Sequence, residues 1–279
     1  MYQIVKKKIY NPQVQLMVVH APLIAKKALP GQFIILRVED SGERIPFTIA
    51  DYDREAGTIT IIFQIVGATT LMLSQKKEGE YLSDFAGPLG RPSELDELKK
   101  VCVIGGGLGC AIAYPQAKYL HDHNAEVDII AGFRNKELIF LEEEMRAVSN
   151  FLSICTDDGS NGNKGLVTDE LKRLFEQGKR YDAVIAIGPL IMMKFVALLT
   201  KELGIRTIVS MNPIMIDGTG MCGGCRISVG GETKFACVDG PDFDGHLIDF
   251  DLAMKRNMYY REEEQISLTH HKCRLGMEE

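Results

Sequence analysis

The chain has no apolar run long enough to cross a bilayer. Its longest, Ala183 to Leu199, is broken by Gly188, Pro189 and Lys194 and falls short of the about 20 residues that a spanning helix needs. A secretory leader is missing as well: Met1-Tyr2-Gln3-Ile4-Val5 runs straight into lysines, with no apolar core and no small-residue cleavage site. We therefore expect a cytoplasmic protein. Nor is there an excess of positive charge. The net charge is -6, and Lys6-Lys7-Lys8 and Lys26-Lys27 are short runs that read as solvated strand ends. Nucleic acid is disfavoured as a partner, because phosphate neutralisation needs clustered Lys and Arg. No internal repeat or low-complexity segment is visible. The seven cysteines are odd in number, and Cys102, Cys110 and Cys155 stand in apolar surroundings. That pattern fits reduced, buried thiols better than a disulfide framework.

What is present is an ordinary soluble composition, 46% hydrophobic and 25% charged over 279 residues. Such a length accommodates two compact domains and an appendage. Up to about Leu98 the pattern predicts short strands at Tyr2 to Tyr10, Val14 to Val19, Phe33 to Val38, Pro46 to Ala50 and Thr58 to Ile65. Turn signals separate them, as in a small antiparallel barrel. From Lys99 strands at 101–104, 127–131, 151–155, 183–187 and 207–211 alternate with helical segments at 115–122, 136–148, 169–177 and 192–203. Alternation of this kind predicts a doubly wound parallel sheet. The expected fold class is thus α/β plus all-β, with domains at 1–98, 99–211 and 212–279. The last holds a glycine- and cysteine-rich segment, a helix from His246 to about Glu264, and a polar tail.

That segment carries the most informative spacing, Asp217-x4-Cys222-x2-Cys225-x11-Cys237. It is the ligand run of a plant-type [2Fe–2S] site, C-x4-C-x2-C and a later cysteine, with a carboxylate at the first position. Gly230-Gly231 signals a two-residue hairpin turn between Arg226–Val229 and Glu232–Ala236. With the register set there, Val229 faces Glu232 and Cys237 returns beside Gly224 and Cys225. Gly218, Gly220, Gly223 and Gly224 allow the backbone to wrap closely around a cluster. A zinc site with one oxygen and three sulfur ligands satisfies the same residues, as does a metal-free turn.

Two further runs offer backbone amides to phosphates. Gly105-Gly106-Gly107-Leu108-Gly109 follows an apolar strand and precedes a helix whose first turn accepts Pro115, the context for a pyrophosphate over a helix N-terminus. Cys110 stands at the third glycine of G-x-G-x-x-G, and tight packing is the other reading. An acidic residue usually closes the second strand to grip a ribose hydroxyl, but Gly132, Phe133 and Arg134 stand there. Arg134 either meets a ribose 2'-phosphate or pairs with Glu142 or another surface carboxylate. In the barrel, Gln64 to Thr70 runs from a strand into a helical segment, either as a phosphate-facing turn or as a plain turn capped by Thr69.

These motifs together resemble the ferredoxin reductase-type flavoproteins, in the dihydroorotate dehydrogenase electron-transfer subunit group, over nearly the whole chain. The resemblance rests on Arg44-Ile45-Pro46-Phe47-Thr48-Ile49, Gly87-Pro88-Leu89-Gly90, Gly105 to Gly109, Asp157-Asp158-Gly159-Ser160, Gly188-Pro189, Met221 to Arg226, Phe235 to Pro241 and Phe243 to His246. It implies FAD on the barrel, with Pro46, Phe47 and Thr48 beside the isoalloxazine and Gly67, Thr69 and Thr70 near the pyrophosphate. Arg44 stands one residue earlier than the family's arginine. The resemblance also implies NAD(H), or NADP(H), over Gly105, Gly106, Gly107, Gly109, Arg134, Asp157, Gly188 and Pro189. Ile187 replaces the cysteine often found before the glycine-proline pair. Asp217 agrees with the small-subunit type of NADH-dependent ferredoxin:NADP oxidoreductases, whereas the dihydroorotate group has cysteine there.

The function implied is an electron-transfer subunit that links NAD(H) to a larger flavin and iron–sulfur partner of glutamate synthase small-subunit type, in a heterodimer capable of electron bifurcation. No side chain need act as a nucleophile, and His121, His123, His246, His270 and His271 read as surface or capping residues. Two rival readings stand beside it. One is a self-sufficient NAD(P)H diaphorase or sulfide or polysulfide reductase; the other is a zinc-stabilised nucleotide-binding module.

Overall fold

The computed structural model describes residues 2–274. The N-terminal part holds β1 (Tyr2–Asn11), β2 (Val14–His20), α1 (Pro22–Ala25), β3 (Phe33–Arg37), β4 (Ile45–Thr48), β5 (Asp51–Asp53), β6 (Thr58–Gln64), α2 (Ala68–Gln75), β7 (Tyr81–Leu82) and β8 (Asp84–Leu89). The strands form two antiparallel sheets, β5-β6-β2-β1-β7 and β4-β3-β8. Alternation of apolar residues gives each sheet one inward face, and Ile4, Met17, Ile34, Leu36, Ile61, Phe63 and Phe85 fill the space between them. The short strands β5, β7 and β8 carry no strong periodicity and are not among the strands that the sequence pattern predicts.

The second part comprises β9 (Lys100–Gly106), α3 (Gly109–Asp122), β10 (Glu126–Phe133), α4 (Glu142–Ala147), β11 (Phe151–Thr156), α5 (Val167–Glu176), β12 (Ala183–Ile187), α6 (Leu190–Leu203) and β13 (Arg206–Ser210). Its five strands are parallel in the order β11-β10-β9-β12-β13. The order reverses between β9 and β12, the switch point where ligands bind in such sheets. Then follow β14 (Arg226–Val229), β15 (Glu232–Phe235), α7 (Ala236–Asp239), β16 (Asp242–Asp244), α8 (Phe250–Arg256) and α9 (Arg261–Arg274). Strand β16 pairs antiparallel with β13, so the cysteine-rich segment is stitched to the edge of the parallel sheet.

Three expected helices change. The helix at 115–122 begins at Gly109, because small residues Gly109, Cys110, Ala111 and Ala113 pack directly on the sheet; Pro115 therefore lies inside it. The helix at 136–148 is absent as a unit. Asn135 caps a single short turn over Lys136–Leu138, Phe140 and Leu141 then plunge into the core, and Leu141 takes φ 59° before Glu142 opens α4. The helix expected from His246 to Glu264 is divided. Asp244 caps a turn at Gly245–Leu247, Asp249 caps α8, and α9 extends through most of the expected tail, whose last residues lie outside those described. On α9, Ser267, Leu268, His271 and Lys272 are its half-buried residues, and the helix lies against α2.

Candidate cofactor and electron-transfer site

The hairpin β14–β15 turns at Gly230 and Gly231 with φ of 60° and 85°. Two consecutive left-handed residues define the turn that matches strand twist, and glycine adopts them without strain. The register pairs Val229 with Glu232 and Arg226 with Phe235, as the sequence predicts. It carries Ala236 back so that its N–H donates to the Cys225 carbonyl at 3.1 Å. The sulfurs of Cys225 and Cys237 consequently stand 3.2 Å apart, both buried. Two sulfurs bound to one tetrahedral metal at about 2.3 Å lie roughly 3.8 Å apart, so this pair is already close to the spacing of ligands on a shared metal. Burial pushes the Cys237 thiol up to about 12, with the Cys225 thiol and then Cys222 adding to the shift. Such a crowded pair becomes doubly anionic only beside a strong positive charge. A metal centre supplies that charge, and the donor set fits one.

Cys222 is exposed at the rim of the same loop. Asp217 is held differently: its Oδ2 accepts from the Thr219 N–H at 3.0 Å, the Thr219 hydroxyl at 2.5 Å and the Met221 N–H at 3.3 Å. These bonds, led by Thr219, keep its carboxyl below the usual range. Among the described residues no three His, Cys, Asp or Glu side chains are gathered as around a single ion. The structure thus brings Cys225 and Cys237 together, sets Cys222 nearby, and keeps Asp217 within its own turn, where all three bonds fall on one oxygen.

The loop leans on the barrel. A Cβ on Gly218 would stand 2.8 Å from both Ile35 and Leu89, so only glycine lets the backbone approach β3 and β8 this closely. Arg44 Nε donates to the Ile216 carbonyl at 3.1 Å, and its Nη1 lies 3.8 Å from Asp84. Arg44 is therefore committed to the cysteine loop. Beside it, Pro46, Phe47 and Thr48 form a partly exposed strand paired with β3. Phe47 is braced by Phe63 at a ring separation of 5.8 Å. The turn into α2 is closed by Thr70, whose Oγ1 accepts from the N–H groups of Val66 and Gly67, both at 2.9 Å. Thr69, expected as the cap, instead donates to Glu43 at 2.7 Å. A Cβ on Gly67 would meet nothing, so open space lies before the first turn of α2.

At the sheet's switch point the β9–α3 and β12–α6 junctions press together. A Cβ on Gly109 would fall 2.1 Å from the Ile187 carbonyl oxygen, and one on Gly188 would fall 3.1 Å from Gly106. Gly107 takes φ 54°. Cys110, in the third glycine position, is buried against Gly105, and burial pushes its thiol far up. Pro189 leads into α6. Across the sheet, the N–H groups of Asp157 and Asp158 donate to the carbonyls of Phe133 and Arg134 at 3.0 and 3.3 Å, zipping the ends of β10 and β11 together. Glu142 pairs with Arg146 at 2.9 Å, so the expected Arg134–Glu142 pair does not form.

Two antiparallel sheets, a parallel sheet with glycine-lined switch point, and a trailing metal-ligand loop define a ferredoxin reductase-type electron-transfer flavoprotein. The ferredoxin NADP+ reductase of Neisseria gonorrhoeae, with FAD and NADP bound, shares this fold at a TM-score of 0.60 and 16% identity, over 73% of this chain and 90% of that one. Residues 212–249 match the iron-sulfur cluster binding domain of dihydroorotate dehydrogenase B. The chain is 47% identical to a Thermotoga maritima homolog of the dihydroorotate dehydrogenase B (NAD(+)) electron transfer subunit, over 89% of this chain and 88% of that protein. A chain of the NADH-dependent reduced ferredoxin-NADP oxidoreductase matches at TM-score 0.92 and 44% identity, covering 97% of both. This chain belongs to the dihydroorotate dehydrogenase B electron transfer subunit family. It is a flavin and iron–sulfur electron-transfer subunit of an NAD(H)-dependent oxidoreductase.

One feature of the junction had no sequence signal. Asp242 accepts from Ser93 Oγ at 2.5 Å and Gln116 Nε2 at 3.1 Å, joining the barrel's exit, α3 and β16. Its partners lie 149 and 126 residues away, beyond any local pattern.

Proposed function

We propose that this chain exchanges electrons between NAD(H) and a larger flavin- and iron–sulfur-containing subunit of glutamate synthase small-subunit type, as a cytoplasmic heterodimer. The single observation that carries the iron–sulfur part is the Cys225–Cys237 sulfur pair at 3.2 Å, set in a loop that lies against the flavin-bearing barrel. In this reading Cys222, Cys225 and Cys237, with the free oxygen of Asp217, would hold the cluster. Pro46, Phe47 and Thr48 line the isoalloxazine, and Gly67, Thr69 and Thr70 present the α2 end to the FAD pyrophosphate. Gly105, Gly106, Gly107 and Gly109 take the dinucleotide pyrophosphate, with Gly188 and Pro189 at the nicotinamide and Arg134 and Asp157 at the ribose.

When bound, FAD would supply the chemistry that matches a two-electron nicotinamide to a one-electron cluster. The chain's own part is positional. Gly109 and Gly188 keep the two junctions in contact so that the nicotinamide is presented at a fixed place. Arg44 ties the barrel to the cysteine loop and holds the two redox sites at one separation. Burial of Cys225 and Cys237 excludes water from the inner side of the cluster. The oxidoreductase chain described above comes from a structure concerned with flavin-based electron bifurcation, which supports a role for this chain as the NAD(H) branch of such a complex. No helix among the described residues is long and apolar enough to cross a membrane.

The test is an anaerobic visible spectrum of the purified chain before and after NADH, with iron and zinc assays on the same sample. Flavin and iron–sulfur bands that bleach with NADH are the expected result. A colourless protein with stoichiometric zinc overturns the proposal.

A further inference from the structure

Which nicotinamide dinucleotide the cleft selects follows from the ends of β10 and β11. The nicotinamide half has to face the barrel's flavin strands. It therefore takes the β12 side of the switch point, where Met193 and Met211 share a core with Phe33 and Ile35. The adenosine half is left to lie over β10 and β11. Both signs of charge stand there: Arg134 and Lys136 after β10, Asp157 and Asp158 after β11. A ribose with free hydroxyls donates to carboxylates, whereas a 2'-phosphate needs a cation and is repelled by them.

The two signs are not equally prepared. Asp158 Oδ1 accepts from the Ser160 N–H at 2.9 Å and the Ser160 hydroxyl at 2.7 Å. Ser160 Oγ in turn accepts from the Lys136 N–H at 2.7 Å. With the two backbone bonds from Asp157 and Asp158 to Phe133 and Arg134, the carboxylate-bearing loop is fixed to the strand end beside it. These bonds leave Asp158 Oδ2 free to accept, and the Ser160 bonds keep the group ionised. Arg134 is exposed and forms no ion pair among the described residues. It would have to give up rotamer freedom to clasp a phosphate. A carboxylate already in place faces a guanidinium that no side-chain bond among the described residues positions, and the carboxylate prevails.

We propose that Asp157 and Asp158, the latter locked by Ser160, select NAD(H) by accepting from the adenosine ribose hydroxyls and rejecting a 2'-phosphate. This rests on the nucleotide reading of the glycine junction given above. The test is calorimetric binding of ADP-ribose and of its 2'-phosphate to the flavin-loaded protein, which involves no electron transfer. The wild type is expected to favour ADP-ribose by roughly ten- to a hundredfold. Asp158→Asn keeps the Ser160 bonds and should reduce that preference about tenfold. Asp157→Ser combined with Asp158→Ser should abolish it. Equal wild-type affinity for both ligands, or a preference untouched by the Asp variants, overturns the selection while leaving the nucleotide site standing. Binding of neither ligand overturns both.

Discussion

Asp242 is the place where a single substitution should strengthen this protein. Its carboxylate lies where barrel, α3 and β16 meet, accepting from Ser93 and Gln116, while its Oδ1 is enclosed without a partner. Gln116 Oε1 is a second enclosed acceptor without a donor. Burial raises the Asp242 pKa above the ordinary carboxylate value, against the opposing pull of bonds from Ser93, Ser210 and Gln116. A carboxyl whose pKa is raised by folding is favoured in its neutral form. Its contribution to stability is complete below the unfolded-state pKa and is lost as pH rises through the folded one. Raising the pH therefore loads the fold with a charge it would rather shed. Asp242→Asn keeps the shape and the oxygen that accepts from Ser93 and Gln116, removes the charge, and replaces the unpartnered Oδ1 acceptor. Relieving one enclosed, unpartnered acceptor gives about 1 kcal/mol, or about 2–4 °C in a chain of this size. Thermal unfolding at pH 8 should show that gain, and at pH 5 a smaller one. A variant that melts below the wild type at pH 8 would show that the ionised carboxylate is needed, and the reasoning would fail.

Gly109→Ala places a methyl 2.1 Å from the Ile187 carbonyl oxygen. It should cost about 1–3 kcal/mol of stability and abolish bleaching by NADH while dithionite still reduces the bound flavin; unimpaired bleaching by NADH would refute the packed-junction argument. Thr70→Ala strips the acceptor from the Val66 and Gly67 amides. That should weaken FAD retention by about 1 kcal/mol, roughly fivefold, read as the flavin-to-protein ratio after gel filtration, with Thr70→Ser restoring it. Asp217→Cys should preserve iron content and shift the cluster's potential in a redox titration followed by electron paramagnetic resonance. An unaltered potential would place Asp217 outside the ligand set.

Much of this was legible because it is local. The Gly-Gly pair fixed the hairpin register, and with it the meeting of Cys225 and Cys237, without reference to the remaining chain. The glycine run after β9 was equally plain, since a strand, a tight turn and a helix start are consecutive events. Failures arose where tertiary burial overrode propensity. Lys136 to Val148 has helical composition, yet Phe140 and Leu141 gain more from the core than from a continued helix, and the chain unwinds to deliver them. Strand β8 hides in a glycine- and proline-bearing run that reads as a loop but closes the small sheet on β3. The bond from Arg44 to the Ile216 carbonyl, 172 residues away, has no counterpart in the sequence pattern. Distance along the chain removes any signal of that kind.

One apolar core holds Phe33 and Ile35 of the barrel, Ile104 and Val184 of the parallel sheet, and Cys225, Ile227 and Cys237 of the ligand loop. The loop is thus a keystone, touching both larger bodies from a shared seam. A keystone of this kind resists jaw-like separation of the two larger bodies, because opening would expose their shared core to water.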